Sequence, residues 1–205
     1  MAAERVLLAT RSSGKLRELR ALFAEHGRAV IDLDDAGIPE RPDEDALEVH
    51  ETFEENALAK ARHFFGIARM PVVADDSGLV VPALNGAPGV LSKRWSGRTD
   101  LRGQALDDEN NRLLIERLRG ASDRRAHYVC VAAFVDAGHE IVRRGEVHGR
   151  IVEASRGSGG FGYDPYFRAD ELGRTFGEAA ASEKQLVSHR ARAFRALLAA
   201  LDSAP

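Results

Sequence analysis

The segment Pro71-Val72-Val73-Ala74-Asp75-Asp76-Ser77-Gly78 constrains this chain more than any other. An apolar run that reads as a short buried strand ends in two adjacent carboxylates, a hydroxyl and a glycine. Two aspartates at the tip of a core strand repel each other and resist burial, so they need a cation or a proton to be stable there. Oxygen-only ligands of this type suit Mg²⁺, which binds through one or two carboxylates, several waters and substrate phosphates. The segment thus points to magnesium-assisted chemistry on a phosphorylated molecule. The plain alternative is a tight Asp-Asp-Ser-Gly turn between two strands, because all four residues form turns well. Taken alone, the segment favours that turn.

Strand and helix patterns alternate around it. Arg5–Ala9 and Ala29–Leu33 read as short strands, separated by a helix with Leu16, Leu19, Leu22 and Phe23 on one face. Asp34 to about Glu51 is acidic, contains Pro39 and Pro42, and suits an exposed loop. Thr52 and Glu55 have capping-box spacing and open a helix striped by Phe53, Ala57, Ala61, Phe64 and Phe65. After the Asp-Asp segment come a short strand, Leu79–Val81, and a charged helix, Gln104–Leu118. Ala126–Val135 and His139–Glu153 read as a hairpin, with Gly145 and Gly149 marking a bulge or bend in its second strand. A last helix from about Ser188 places Phe194, Leu197, Leu198 and Leu201 on one face. This alternation predicts an α/β class with at least one antiparallel hairpin.

Bulk properties exclude several function classes. With 205 residues, 44% hydrophobic and 30% charged, the chain can form one sizeable core of ordinary soluble composition. A net charge of −3 argues against general binding to nucleic-acid backbone. No apolar stretch approaches a membrane span, and Met-Ala-Ala-Glu-Arg leads into the first strand without a signal-peptide core. The lone cysteine, Cys130, lies in an apolar run and reads as a small core residue, which excludes a disulfide framework and predicts a reducing, cytoplasmic setting.

Four further clusters carry chemistry. Thr10 to Lys15 joins a strand to a helix start, where backbone N–H groups, the helix dipole and the Lys15 ammonium attract phosphate. Its simpler reading is an ordinary turn capped by Ser12 or Ser13. Glu48, Glu51, Glu54 and Glu55 concentrate carboxylates where the macrodipole alone already favours them, yet one of them can complete a metal site with Asp75 and Asp76. Gly157 to Asp164 sets glycines beside Phe161 and Tyr163, so backbone can approach a ligand while a ring stacks on a base; otherwise it is a mobile loop. Ser188-His189-Arg190 offers donors to a base carbonyl or phosphate, or is simply an N-cap and a solvated turn. Each is weak alone, and their joint occurrence in this order is not.

In that order the chain resembles the noncanonical purine nucleoside triphosphate pyrophosphatases, the inosine triphosphatase (HAM1-like) family. Five blocks carry the resemblance: Leu-Ala-Thr-Arg-Ser-Ser-Gly-Lys (8–15), Glu-Thr-Phe-Glu-Glu-Asn-Ala (51–57), Ala-Asp-Asp-Ser-Gly-Leu (74–79) with Gly-Ala-Pro-Gly-Val (86–90), Gly-Gly-Phe-Gly-Tyr-Asp-Pro (159–165) and Ser-His-Arg (188–190). The resemblance implies one ITPase-like domain over residues 1–205, an elongated mixed sheet with flanking helices in two lobes around a central active-site cleft, and a homodimer. It implies that Thr10, Arg11, Ser12, Ser13, Gly14 and Lys15 hold the triphosphate and that Glu48 and Asp76 bind Mg²⁺. Asp76 would also be the catalytic base, and Ser77 would touch substrate. Phe161, Gly162, Tyr163 and Asp164 would line the base and ribose pocket, and Lys184, His189 and Arg190 would contact nucleotide, the last two reading a 6-oxo group. Arg94 or Lys184 would join Lys15 in stabilising developing charge.

Two positions depart from the family pattern. Ser12 stands where asparagine is usual, and Val49-His50 stands where a glycine follows the metal-ligand glutamate, so Glu51 competes with Glu48 for that role. The implied activity is hydrolysis of ITP, dITP or XTP to a monophosphate and pyrophosphate. A related pyrophosphatase for other modified nucleotides, or a non-catalytic nucleotide sensor, are the competing readings.

Overall fold

Hydrophobic patterning places the predicted helices and the first strands where they stand. The computed structural model describes residues 5–203, so Met1–Glu4 of the N-terminal lead-in lies outside the described residues. In chain order the elements are β1 (Val6–Leu8), α1 (Ser13–Glu25), β2 (Val30–Asp32), α2 (Phe53–Ala68), β3 (Val72–Val80), α3 (Gly103–Arg117), β4 (Arg125–Val135), β5 (Glu140–Ile151), β6 (Phe167–Ala169), α4 (Ala181–Val187) and α5 (His189–Asp202). Short 3₁₀ segments span Pro42–Glu48, Pro82–Leu84 and Gly89–Arg94. The strands form a mixed sheet in the order β2-β1-β3-β4-β5-β6, with β1 parallel to β2 and β3, and β5 antiparallel to β6. This is a mixed α/β fold with a central sheet and flanking helices. Among the described residues no helix is long and apolar enough to cross a membrane.

The chain divides into two compact units. The first comprises the chain to Asp76, Cys130–Gly145 and the chain from His189; the second comprises Ser77–Val129 and Glu146–Ser188. In the first unit, Leu19, Leu22 and Phe23 of α1 and Phe194, Leu197 and Leu198 of α5 bury one apolar cluster with Val6, Leu8, Val73 and Cys130. The Phe23 and Phe194 rings meet edge to face, 6.0 Å between centroids. In the second unit, Leu114, Leu118, Val147 and Ile151 surround an aromatic group in which Phe167 lies 4.7 Å from Tyr128 and 5.3 Å from Phe176.

Local capping follows the sequence. Ser12 caps α1 by accepting the Lys15 N–H, and Thr52 caps α2 by accepting the Glu55 N–H at 3.2 Å while its hydroxyl donates to the Glu55 carboxylate. Three expectations are corrected. The Asp-Asp segment neither ends a strand nor turns: β3 runs unbroken through Asp75, Asp76, Ser77 and Gly78 to Val80. Gly145 and Gly149 lie in an unbroken strand, and each is glycine because a Cβ there would overlap backbone, of α5 at Gly145 and of Arg168 at Gly149. The acidic stretch after Asp34 is not loop throughout but contains the 3₁₀ turn Pro42–Glu48, which delivers Glu48. Gly78 carries a similar constraint in the second unit, since a Cβ would strike Gly89 O where the Ser92 hydroxyl bridges Leu79 N–H and that same carbonyl.

Candidate active site

Successive residues of a strand face opposite ways, and β3 uses this to give its two aspartates opposite surroundings. Asp75 is 1% exposed, and its Oδ2 meets Lys15 Nζ of α1 at 3.0 Å and Arg190 Nε of α5 at 3.3 Å. The Cys130 thiol approaches the same oxygen at 3.7 Å, and Lys60 of α2 donates to the Asp75 backbone carbonyl at 2.9 Å. Burial works to raise the Asp75 pKa, but the charges of Lys15, Arg190 and Lys60 outweigh it and hold the carboxyl well below the usual range. Its other oxygen, Oδ1, is buried without a hydrogen-bond partner among the described residues.

Asp76 is nearly as buried, yet its environment acts in the opposite sense. Its Oδ2 accepts from Asn56 Nδ2 at 2.9 Å. Burial, and then the like charge of Glu48, push its pKa up to about 6, against the opposing pull of Lys15 and Lys60. Glu48 is ion-paired to Lys60. Asn56 also accepts the His50 N–H at 2.9 Å and donates to the His50 carbonyl, so one fully buried amide ties the chain just after Glu48 to the Asp76 carboxylate. Glu51 is exposed, whereas Glu48 is the glutamate whose charge acts on Asp76.

The residues expected to hold the triphosphate divide in the structure. Thr10 Oγ1 accepts the Ser12 N–H at 3.2 Å, shaping the turn into α1, and Gly14 is buried in the first helical turn. Lys15 keeps 15% of its side chain exposed while paired to Asp75. Arg11 instead forms a bidentate pair with Glu44 and a bond to Asp34, so its guanidinium is held on carboxylates. His189 opens α5 and is buried, and Arg190, 2% exposed, joins Asp75 to Glu18.

In the second unit, buried Asp164 accepts from Lys184 Nζ at 2.5 Å and from the Phe161 N–H at 2.9 Å. The Lys184 ammonium lies 4.8 Å from the Phe161 ring centroid and 5.3 Å from that of Phe176. Tyr163, expected beside the base, is a core residue whose hydroxyl donates to the Ser92 carbonyl at 2.8 Å. Gly162 adopts φ +63°, and Ser77 is half-buried. Gly157–Gly162 and one face of α3 line a cavity of about 620 Å³.

Asn56, Lys60 and the polar face of α3 carry roles that the sequence motifs do not mark. The signal for the first two is an amide and an ammonium four residues apart inside the apolar stripe of α2, where neither belongs unless it has a buried partner. Among the described residues no group of three or more His, Cys, Asp or Glu side chains gathers as a metal site. The pair Glu48 and Asp76 nevertheless fits a hard divalent cation: both offer oxygen, and burial together with the like charge of Glu48 disfavours the ionised Asp76, a cost that a bound cation would relieve.

Three comparisons bear on this geometry. The model of the Ham1 family matches residues 6–200. The chain is 46% identical to the dITP/XTP pyrophosphatase of Burkholderia pseudomallei, over 98% of this chain and 94% of that one. It superposes on a Ham1 protein from Coxiella burnetii with a TM-score of 0.81 at 34% identity, covering 98% of this chain and all of the other. It also superposes on a dITP/XTP pyrophosphatase from Mycobacterium abscessus, with a TM-score of 0.69 at 43% identity, covering 95% of this chain and 98% of that one.

Proposed function

The chain belongs to the Ham1 family, and from that premise we propose that it hydrolyses the noncanonical purine triphosphates ITP, dITP and XTP to a nucleoside monophosphate and pyrophosphate. The observation that carries this reading is the pair of adjacent buried aspartates, one locked ionised by three cations and the other raised to about 6 beside Glu48. Relatives matching nearly the whole chain bear the name of that activity, which supports the reaction class.

Water adds across the anhydride between the α- and β-phosphates, and one of its protons passes to Asp76. A carboxylate with a pKa of about 6 is ionised at neutral pH yet basic enough to accept that proton. Asn56 fixes the Asp76 carboxylate in place. Glu48 and Asp76 would hold Mg²⁺, which when bound neutralises charge on the phosphate chain and orients it for in-line attack. Lys15 and the N-terminal amides of α1 bind phosphate oxygens, while Asp75 anchors the lysine. Phe161 supplies a stacking face. A donor such as Lys184 or His189 favours a 6-oxo group over a 6-amino group, which would set donor against donor.

The test is product identity and its dependence on pH. ITP with Mg²⁺ should yield pyrophosphate, not phosphate. With Asp76 required as the anion, kcat/KM should rise with pH through about 6 in limiting Mg²⁺ and level off above it. Saturating Mg²⁺, which favours the ionised carboxylate, should move that midpoint to lower pH. Release of phosphate alone, or a rate that falls as pH rises from 5 to 7, contradicts the proposal.

A further inference from the structure

Helix α3 buries a polar face. Asn110 and Asn111 are 2% and 4% exposed, and Leu114 is the one apolar residue buried beside them within the helix. Burying an amide costs about 1–3 kcal/mol unless its hydrogen bonds are made, so the destinations of those bonds are informative. Asn111 Nδ2 donates to the Gly162 carbonyl at 2.9 Å while its Oδ1 is buried without a hydrogen-bond partner among the described residues, and Asp107, one helical turn earlier, accepts the Gly162 N–H at 2.8 Å. Both backbone groups of a single residue are therefore gripped from one helix by side chains four positions apart. The neighbouring Asn110 accepts the Ser96 N–H at 2.8 Å and donates to the Lys93 carbonyl at 3.0 Å, fixing the turn that carries Lys93 and Arg94.

Gly162 follows Phe161 directly and sits at φ +63°, a backbone state that the grip on its N–H and carbonyl holds in place. Phe161 is fixed from its other side by its own N–H to Asp164 and by the Lys184 ammonium near its ring. We infer that Asp107 and Asn111 are positioning residues for Phe161: they set the plane of the ring that stacks on the purine and so set discrimination between bases. The discrimination half rests on the function proposed above; the grip itself does not.

The experiment combines a nucleotide-free readout with a kinetic one. Protein labelled with fluorophenylalanine, with the Phe161 signal assigned by Phe161→Leu, is compared by ¹⁹F NMR in wild type, Asp107→Ala, Asp107→Asn and Asn111→Leu. Asp107 is only partly buried, so Asp107→Ala is expected to fold, and Asp107→Asn keeps an oxygen for the Gly162 N–H. The grip predicts a shifted or broadened Phe161 signal in Asp107→Ala and Asn111→Leu, and a nearly native one in Asp107→Asn. It also predicts that KM for ITP rises about tenfold with kcat changed less than about threefold, and that the ITP-to-GTP ratio of kcat/KM falls by a similar factor. An unchanged Phe161 signal in both disruptive variants overturns the positioning role. A displaced signal with an unchanged ITP-to-GTP ratio overturns the link to discrimination. A wild type that turns over no ITP overturns the proposed function, and the ¹⁹F comparison then still decides the grip.

Discussion

Asp76→Asn is expected to lower kcat by about 10³-fold or more, within the range of about 10²–10⁴ that a general acid–base group contributes, and at the same time to stabilise the metal-free fold. The two effects share one cause. Burial and the charge of Glu48 raise the Asp76 carboxyl to about 6, so its ionised form is strained in the folded chain. A carboxyl whose folded pKa lies above its unfolded value contributes most when protonated. Its contribution is full below about pH 4 and is lost as pH rises through about 6. At pH 7.5 without metal, the ionised group costs up to about 3 kcal/mol, from a raise of roughly two pKa units at about 1.4 kcal/mol each. Asparagine keeps an oxygen for Asn56 Nδ2 and carries no charge. Thermal unfolding in EDTA should therefore show the variant several degrees more stable at pH 7.5, with the gap closing towards pH 4. Equal stability across that range would mean that Asp76 bears no strain and is not tuned as a base.

The adjacent aspartate has the opposite effect. Asp75→Asn is expected to destabilise the protein by about 3–5 kcal/mol, the cost of removing one member of a buried charge cluster. Lys15 and Arg190 both rest on Asp75 Oδ2, and Lys60 adds its charge to the same group. Arg190 keeps Glu18 as a second partner, and Lys60 keeps Glu48, while Lys15 loses the carboxylate that anchors it. Because the Asp75 pKa is depressed, its contribution is present at neutral pH and is lost as pH falls below the ordinary carboxylate range. Urea denaturation at pH 7.5 measures the effect. A loss below about 1 kcal/mol would contradict the assignment of Asp75 as the counter-ion that organises the first unit. Neighbouring residues of one strand should thus change stability with opposite signs, which neither propensity nor composition would suggest.

The sequence exposes what is local and hides what is distant. The Ser12 and Thr52 caps, the apolar faces of α1 and α5, and the Asp75-Asp76 pair are all readable within a few residues. The path of β3 is not, because two carboxylates look like a strand end until Lys15 and Arg190, far off in the chain, neutralise one of them. Distant partners also fix Tyr163, whose hydroxyl donates to the Ser92 carbonyl within the core, a contact that the local motif does not show. Nor does an arginine carry a mark of the carboxylate it will meet: Arg11 pairs with Glu44 and Arg190 with Asp75. The strands and helices that sequence periodicity misses, β6 and α4, span three and seven residues, too short for a period to register. Glycine in β5 looks like a bulge but marks the close approach of another segment's backbone, a fact of packing and not of local conformation.

The proposed reaction cleaves noncanonical purine triphosphates to pyrophosphate with Asp76 as base. The most direct measurement is release of pyrophosphate and of phosphate from ITP, XTP, dITP, GTP and ATP, with and without Mg²⁺, by wild type and Asp76→Asn. Mg²⁺-dependent pyrophosphate release is expected from ITP, XTP and dITP, with weak or no turnover of GTP and ATP and near-complete loss in the variant. Binding of ITP without turnover, or full activity in Asp76→Asn, would contradict it.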